Sequence, residues 1–277
     1  MRRRRWALDI RLVAIDVDGT LVGEDDWIPP ENVAAVRNAL AAGIRVVLAT
    51  GRAYEGVRSI IKQLGLTDPL VLLGGSIVQT ASGDILKSYP MPVAQVKAVY
   101  DFCRLHGLSV RAQSPYGSYF LLTTPEHPDM EIILRRLREW APYDYGFTHD
   151  YARLPVRGIN KVTIVFDTVE QMRRLRPEMC ATLRCMTHVQ AFKNWIEITS
   201  EGTTKLRGIK YVARMMGIKR QSIAAIGDNE NDLELVKWVG FGIFAGSAAD
   251  DLKPAARVVT PAGEHAVAWG LSHLAAI

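Results

Sequence analysis

The chain has 277 residues, 48% hydrophobic and 23% charged, with 34 Lys and Arg against 29 Asp and Glu for a formal net charge of +5. Such a chain can bury a sizeable core in one or two domains, and no apolar run reaches the roughly 18 residues of a membrane-spanning helix. Arg2 to Arg5 supply four of the positive charges, leaving a nearly neutral body that argues against nucleic acid as partner.

The amino terminus, Met1 to Asp9, has a charged start but no continuous apolar stretch or small-residue cleavage site, so secretion is not expected. Cys103, Cys180 and Cys185 are odd in number and form no Cys-x-x-Cys pair. That pattern indicates neither a disulfide framework nor a zinc site and fits a reducing cytoplasm. The six histidines show no His-x-His or His-x-x-x-His spacing.

In chain order, the apolar run Leu12-Val13-Ala14-Ile15 predicts a strand that breaks at Asp16-Val17-Asp18-Gly19-Thr20-Leu21. Successive side chains of a strand point to opposite faces, so the two carboxylates converge only where the strand ends, and Gly19 supplies that break. Backbone N–H groups beside paired carboxylates suit a phosphoryl group held against a divalent cation. A calcium loop of the EF-hand type does not fit, because Gly19 falls fourth rather than sixth when Asp16 is counted as the first position.

Pro29 and Pro30 then lead into a helix over 31–42, with Val33, Val36 and Leu40 on one face and Gly43 as its stop. A buried strand over 44–49 ends in Thr50-Gly51-Arg52: a hydroxyl, a flexible backbone N–H and a guanidinium at a strand's carboxyl end. A helix over 54–64 and a strand over 70–73 follow. The middle reads differently. A helix over 93–106 precedes strands over 108–113 and 118–123, and a helix over 169–183 precedes strands over 184–191 and 195–199, a candidate duplication. Between them lie a helix over 128–140 and a strand over 161–167, with Tyr143, Tyr145 and Phe147 alternating as one aromatic strand face.

The carboxyl-terminal part returns to alternation. A helix carrying Lys205 begins near Thr203 and Thr204 and stops at Gly217. A strand over 222–226 runs into Gly227-Asp228-Asn229-Glu230-Asn231-Asp232, followed by a short helix over 231–238 and strands over 242–244 and 257–259. Strands alternating with helices at both ends predict a parallel sheet covered on both faces, which binds ligands at the carboxyl ends of its strands.

With DVDGTL, ATGR, the lysine of EGTTKLRGI and GDNEND in this order, the chain resembles the haloacid dehalogenase superfamily, specifically its Cof-type hydrolases with a type IIB cap. It departs from that family's usual motifs at Gly74-Gly75-Ser76, Lys205-Leu206 and Ala245-Gly246-Ser247-Ala248. The resemblance implies an α/β fold: a Rossmann-like core over 1–83 and 192–277 with an inserted α+β cap over 84–191. It implies a Mg²⁺-dependent phosphatase acting on a small phosphorylated metabolite, with Asp16 as nucleophile forming an aspartyl-phosphate and Asp18 as general acid and base. Asp16, Asp228 and the backbone carbonyl of Asp18 would hold the metal. Thr50, the Gly51 N–H, Lys205 and Asn231 would hold the phosphoryl oxygens, and Asp232 would orient Lys205 or a metal-bound water from behind. Arg52 and, more weakly, Lys161 are candidates for the substrate's leaving group. Two other readings stay open: transfer of the phosphoryl group to a sugar, and phosphate binding without turnover.

Overall fold

The structure, a computed structural model, describes residues 9–23, 27–123, 144–263 and 265–276. The helix expected over 128–140, Tyr143 and the Arg2 to Arg5 segment lie outside these residues. The described strands are β1 (Leu12–Ile15), β2 (Arg45–Leu48), β3 (Leu70–Leu72), β4 (Ile77–Gln79), β5 (Ile85–Ser88), β6 (Ser109–Gln113), β7 (Gly117–Leu121), β8 (Asp144–Thr148), β9 (Lys161–Val165), β10 (Met186–Phe192), β11 (Trp195–Ser200), β12 (Ile223–Gly227), β13 (Phe241–Phe244) and β14 (Val258–Val259). The described α-helices are α1 (Pro30–Ala41), α2 (Arg58–Leu64), α3 (Val93–His106), α4 (Val169–Thr182), α5 (Lys205–Met215), α6 (Leu233–Trp238) and α7 (Ala266–Ala276). No described helix is long and apolar enough to cross a membrane.

Two compact units emerge. The first holds a parallel sheet in the order β14-β13-β12-β1-β2. Its β1 is wholly buried, as the unbroken apolar run requires of a strand covered on both faces. Leu12, Ala14, Val47 and Ile223 from the strands pack with Ile209 and Val212 of α5 and Leu235 and Val236 of α6. A small second sheet, β3-β4-β5, joins the first through an isolated bridge between Ala49 and Val71. The strands β4 and β5 and the helix α7 are not among the elements predicted from the sequence. Asn32 of α1 ties these parts together: its side-chain amide donates to the Leu21 carbonyl at 3.1 Å and accepts the Ala268 N–H of α7 at 2.9 Å.

The second unit is α+β, with a sheet in the order β10-β11-β9-β6-β7-β8. One face buries Val110, Ala112, Val162, Ile164, Ile196 and Ile198 against Val96, Val99 and Cys103 of α3 and Met172, Leu175 and Met179 of α4. The two helix–hairpin copies are both present, but they are not placed equivalently. The first meets β9 through β6, its leading strand, and the second through β11, its trailing strand.

The chain divides between Lys87 and Ser88 and between Thr203 and Thr204, with the short Arg52–Gly56 stretch grouping with the second unit. These divides differ from the expected 83/84 and 191/192. Lys193 and Asn194, which fall at the start of the expected second core part, turn the β10–β11 hairpin, and pairing with β9 keeps β11 in the second sheet.

Candidate active site

Parallel pairing aligns Ile15 with Ile226 on one side and with Leu48 on the other. The residues that follow β1, β12 and β2 therefore emerge side by side at one sheet edge: Asp16, Asp228 and Thr50. Asp16 is held there by its own backbone, whose N–H donates to the Ile226 carbonyl at 2.9 Å. The chain then curls, with the N–H groups of Leu21 and Val22 both donating to the Val17 carbonyl at 2.9 and 3.0 Å. Gly19 turns this curl at φ +79°, and a Cβ there would lie 2.3 Å from Asp228 Oδ2. Only glycine lets the first strand's turn approach the Asp228 carboxylate so closely. Beside it, the Thr20 hydroxyl donates to Asp228 Oδ1 at 2.9 Å.

Lys205, the first residue of α5, reaches into the same place. Its ammonium donates to Asp16 Oδ1 at 2.6 Å and to Asp232 Oδ1 at 2.8 Å, and all three side chains are buried. The other oxygen of Asp232 accepts the N–H groups of Asp228 and Asn229 at 3.2 and 3.3 Å. Asp232 thus orients Lys205 and shapes the turn that presents Asp228. Carboxylate oxygens of Asp16, Asp228 and Asp232 lie within 4.8 Å of one another.

Charge is crowded here. Burial pushes the Asp16 carboxyl well above the usual carboxylate range; Lys205 opposes this, while Asp232, Asp228 and Asp18 reinforce it. Burial and Asp232 also raise Asp228, against hydrogen bonds from Asp16 and Thr20. Burial lowers the Lys205 ammonium, but Asp16 and Asp232 outweigh that and keep it charged above its ordinary range. Three clustered carboxylates share one ammonium, and additional positive charge there relieves the imbalance.

The other expected residues take up these positions. Asp18 is exposed in the curl. Thr50 is fully buried, its N–H donating to the Val71 carbonyl at 2.9 Å and its own carbonyl accepting the Gly74 N–H at 3.0 Å; Gly51 follows it. Asn231 stands on a short 3₁₀ turn, Glu230–Asp232, and its buried side-chain oxygen has no hydrogen-bond partner among the described residues. Arg52 donates to the Gly56 carbonyl at 3.1 Å. Lys161, buried on β9, pairs with Glu197 of β11. Thr20 is the residue whose part the sequence reading missed.

A family model for haloacid dehalogenase-like hydrolases matches residues 13–271, a span that takes in every one of these residues. This chain belongs to the haloacid dehalogenase-like hydrolases. It is 26% identical over 274 residues to the 5-amino-6-(5-phospho-D-ribitylamino)uracil phosphatase YcsE of Bacillus subtilis, covering 99% of both chains. It is 27% identical over 270 residues to the HMP-PP phosphatase of Serratia proteamaculans, covering 95% of this chain and 94% of the other. Among solved structures it resembles the HAD subclass IIB sugar phosphatase BT4131, with a TM-score of 0.82 at 21% identity over 96% of this chain and 100% of that one. The fold of this dehalogenase-superfamily hydrolase is therefore a parallel-sheet core with an inserted type IIB module. Its activity is that of a phosphatase.

Proposed function

We propose that this phosphatase hydrolyses the monoester of a small phosphorylated metabolite with Mg²⁺, through an aspartyl-phosphate on Asp16. The observation that carries the reading is the buried Asp16 carboxylate, bonded to Lys205 and set among the carboxylates of Asp228 and Asp232.

A divalent cation fits this donor set. Mg²⁺ takes hard oxygen ligands, usually only one or two carboxylates with several waters; Asp16, Asp228 and the Asp18 backbone carbonyl would hold it. Asp232 is engaged by Lys205 and by the backbone. Bound there, the metal would supply the positive charge that lets a carboxylate approach a phosphate dianion, whose repulsion is about 4 kcal/mol per charge pair at 4 Å and an effective dielectric near 20.

The protein's own groups do the rest. The Asp16 carboxylate attacks phosphorus as the bond from phosphorus to the ester oxygen breaks, and Asp18 donates its proton to that leaving oxygen. Asp18 then takes a proton from water, whose oxygen attacks phosphorus and breaks the bond to Asp16, releasing inorganic phosphate. The exposure of Asp18 suits a group that must exchange protons with water in each cycle. Lys205 neutralises charge on the phosphoryl oxygens, with Thr50, the Gly51 N–H and the side-chain N–H groups of Asn231 completing their partners.

Phosphate release tests the reading. The purified protein is assayed with Mg²⁺ against a panel containing 5-amino-6-(5-phospho-D-ribitylamino)uracil, HMP-PP and sugar phosphates, the substrates that its relatives' names indicate. Turnover of at least one, abolished by chelator and restored by Mg²⁺, is expected; full activity in chelator contradicts the metal assignment. The same panel run on Arg52→Ala and Lys161→Ala reads whether either cation contributes to substrate choice.

A further inference from the structure

One short segment touches both of the groups placed on the phosphoryl oxygens. Val71, on β3, accepts the Thr50 N–H, and Gly74 donates back to the Thr50 carbonyl. The same segment underlies α5. At Gly75, with φ +96°, a Cβ would lie 1.9 Å from the Thr204 carbonyl oxygen and 2.9 Å from the Lys205 nitrogen. At Gly208, one turn into α5, a Cβ would lie 2.3 Å from Val71 Cγ1. Thus the start of α5 meets this segment backbone to backbone at Gly75, and at Gly208 it rests directly on the Val71 side chain.

The segment is also conformationally committed. Leu73 is the one non-glycine residue with positive φ among the described residues, at +48°, and it is buried. The Ser76 hydroxyl donates to its carbonyl at 3.0 Å. A leucine held in the left-handed region is uncommon and persists where the surroundings determine it.

We infer that Val71 to Ser76 is a seat that sets Thr50 and Lys205 in register with each other, and that Gly75 and Gly208 are positioning residues acting through Lys205. The inference rests on the assignment of Thr50 and Lys205 to the phosphoryl group. Lys205 is the first residue of α5, so displacement of that turn moves the ammonium away from Asp16, and misplacement by about 1 Å can cost on the order of 100-fold in rate.

The test uses Gly75→Ala, Gly208→Ala and the double variant Val71→Ala/Gly208→Ala, whose shortened valine leaves room for the new methyl. Each is assayed for hydrolysis of a chromogenic phosphate monoester and for inhibition by inorganic phosphate, well below its melting temperature and after circular dichroism confirms the fold. Gly75→Ala and Gly208→Ala are expected to lower kcat at least tenfold and to weaken phosphate inhibition by about as much. The double variant is expected to return to within about threefold of wild type. A folded Gly75→Ala with a lower melting temperature but unchanged kcat and phosphate inhibition makes the contact purely structural and overturns the inference. If Gly75→Ala does not fold, the Gly208 pair decides, and failure of Val71→Ala to restore Gly208→Ala overturns it. Lys205→Ala and Thr50→Val separate the two readings. If both keep full activity, the phosphoryl-group assignment fails; if they lose it while the glycine variants do not, the seat alone fails.

Discussion

Replacing Asp16 by Asn changes almost no volume and keeps an oxygen that can accept the Lys205 hydrogen bond, while removing the charge that in the proposed mechanism attacks phosphorus. Asp16→Asn is therefore expected to fold as the wild type does, judged by thermal melting, and to release phosphate at less than about one per cent of the wild-type rate. Turnover above that level contradicts the nucleophile assignment. Asp16, Lys205, Asp228 and Asp232 were legible in the sequence because each sits next to a recognisable strand end or helix start, and parallel register brings such ends together. Thr20 was not legible. Its partner Asp228 lies 208 positions away, and a threonine in a turn has an ordinary local explanation, so nothing in the spacing pointed to that bond.

Strands with an unbroken apolar run and helices with a polar side could be read; a helix without a polar side and very short strands could not. The α7 sequence AVAWGLSHLAA offers no apolar stripe against a polar face, and its Gly270 reads as an interruption. In the folded chain a Cβ at Gly270 would come within 3.0 Å of Ile226 Cδ1, so the glycine allows α7 to lie close on β12. The strand β4 spans only three residues, too few to establish alternation. Asn32, fully buried between the first turn and α7, gives the missed helix a measurable consequence. Asn32→Ala leaves the Leu21 carbonyl and the Ala268 N–H without this partner, and is expected to cost about 2 kcal/mol, read as a lowered midpoint in urea. In the second unit, His188 is half-buried with Nε2 2.9 Å from the Leu183 carbonyl. Burial lowers its pKa, the Leu183 carbonyl opposes this, and Arg176 adds to the lowering. Below the unfolded value of about 6.5, the unfolded chain binds the proton that the folded one resists. Stability from this group is thus complete above that pH and is lost as pH falls through the folded value. Melting temperature is expected to fall with acidification in that window, and to fall less steeply in His188→Gln.

At the scale of the molecule, the cysteines report on the second unit's packing. Cys103 is completely buried, and burial pushes its thiol well above the usual range, whereas Cys180 and Cys185 are exposed. A thiol reagent is expected to titrate two groups in the native protein and the third only in denaturant; three fast-reacting thiols would mean that the core around α3 is not closed. The alternating ends and the inserted α+β module could be read from pattern alone. The division at Thr203 could not, because a short turn inside a hairpin and a short connection between units look alike until the partner strand is known.

In the first sheet β1 lies between β2 and β12, and Leu12 is aligned with Ile223. Synthesis runs from the amino end, so β1 and β2 leave the ribosome early, while the strand that covers the other side of β1 follows only after the whole second unit. That unit can close on itself first. Until β12 arrives, β1 carries an open row of backbone N–H and C=O groups on an apolar strand, a template for pairing with other chains. The proposed nucleophile is thus encoded ahead of the second unit, yet its surroundings are completed only after that unit has been made, and the nascent protein's exposure to aggregation is greatest in the interval between.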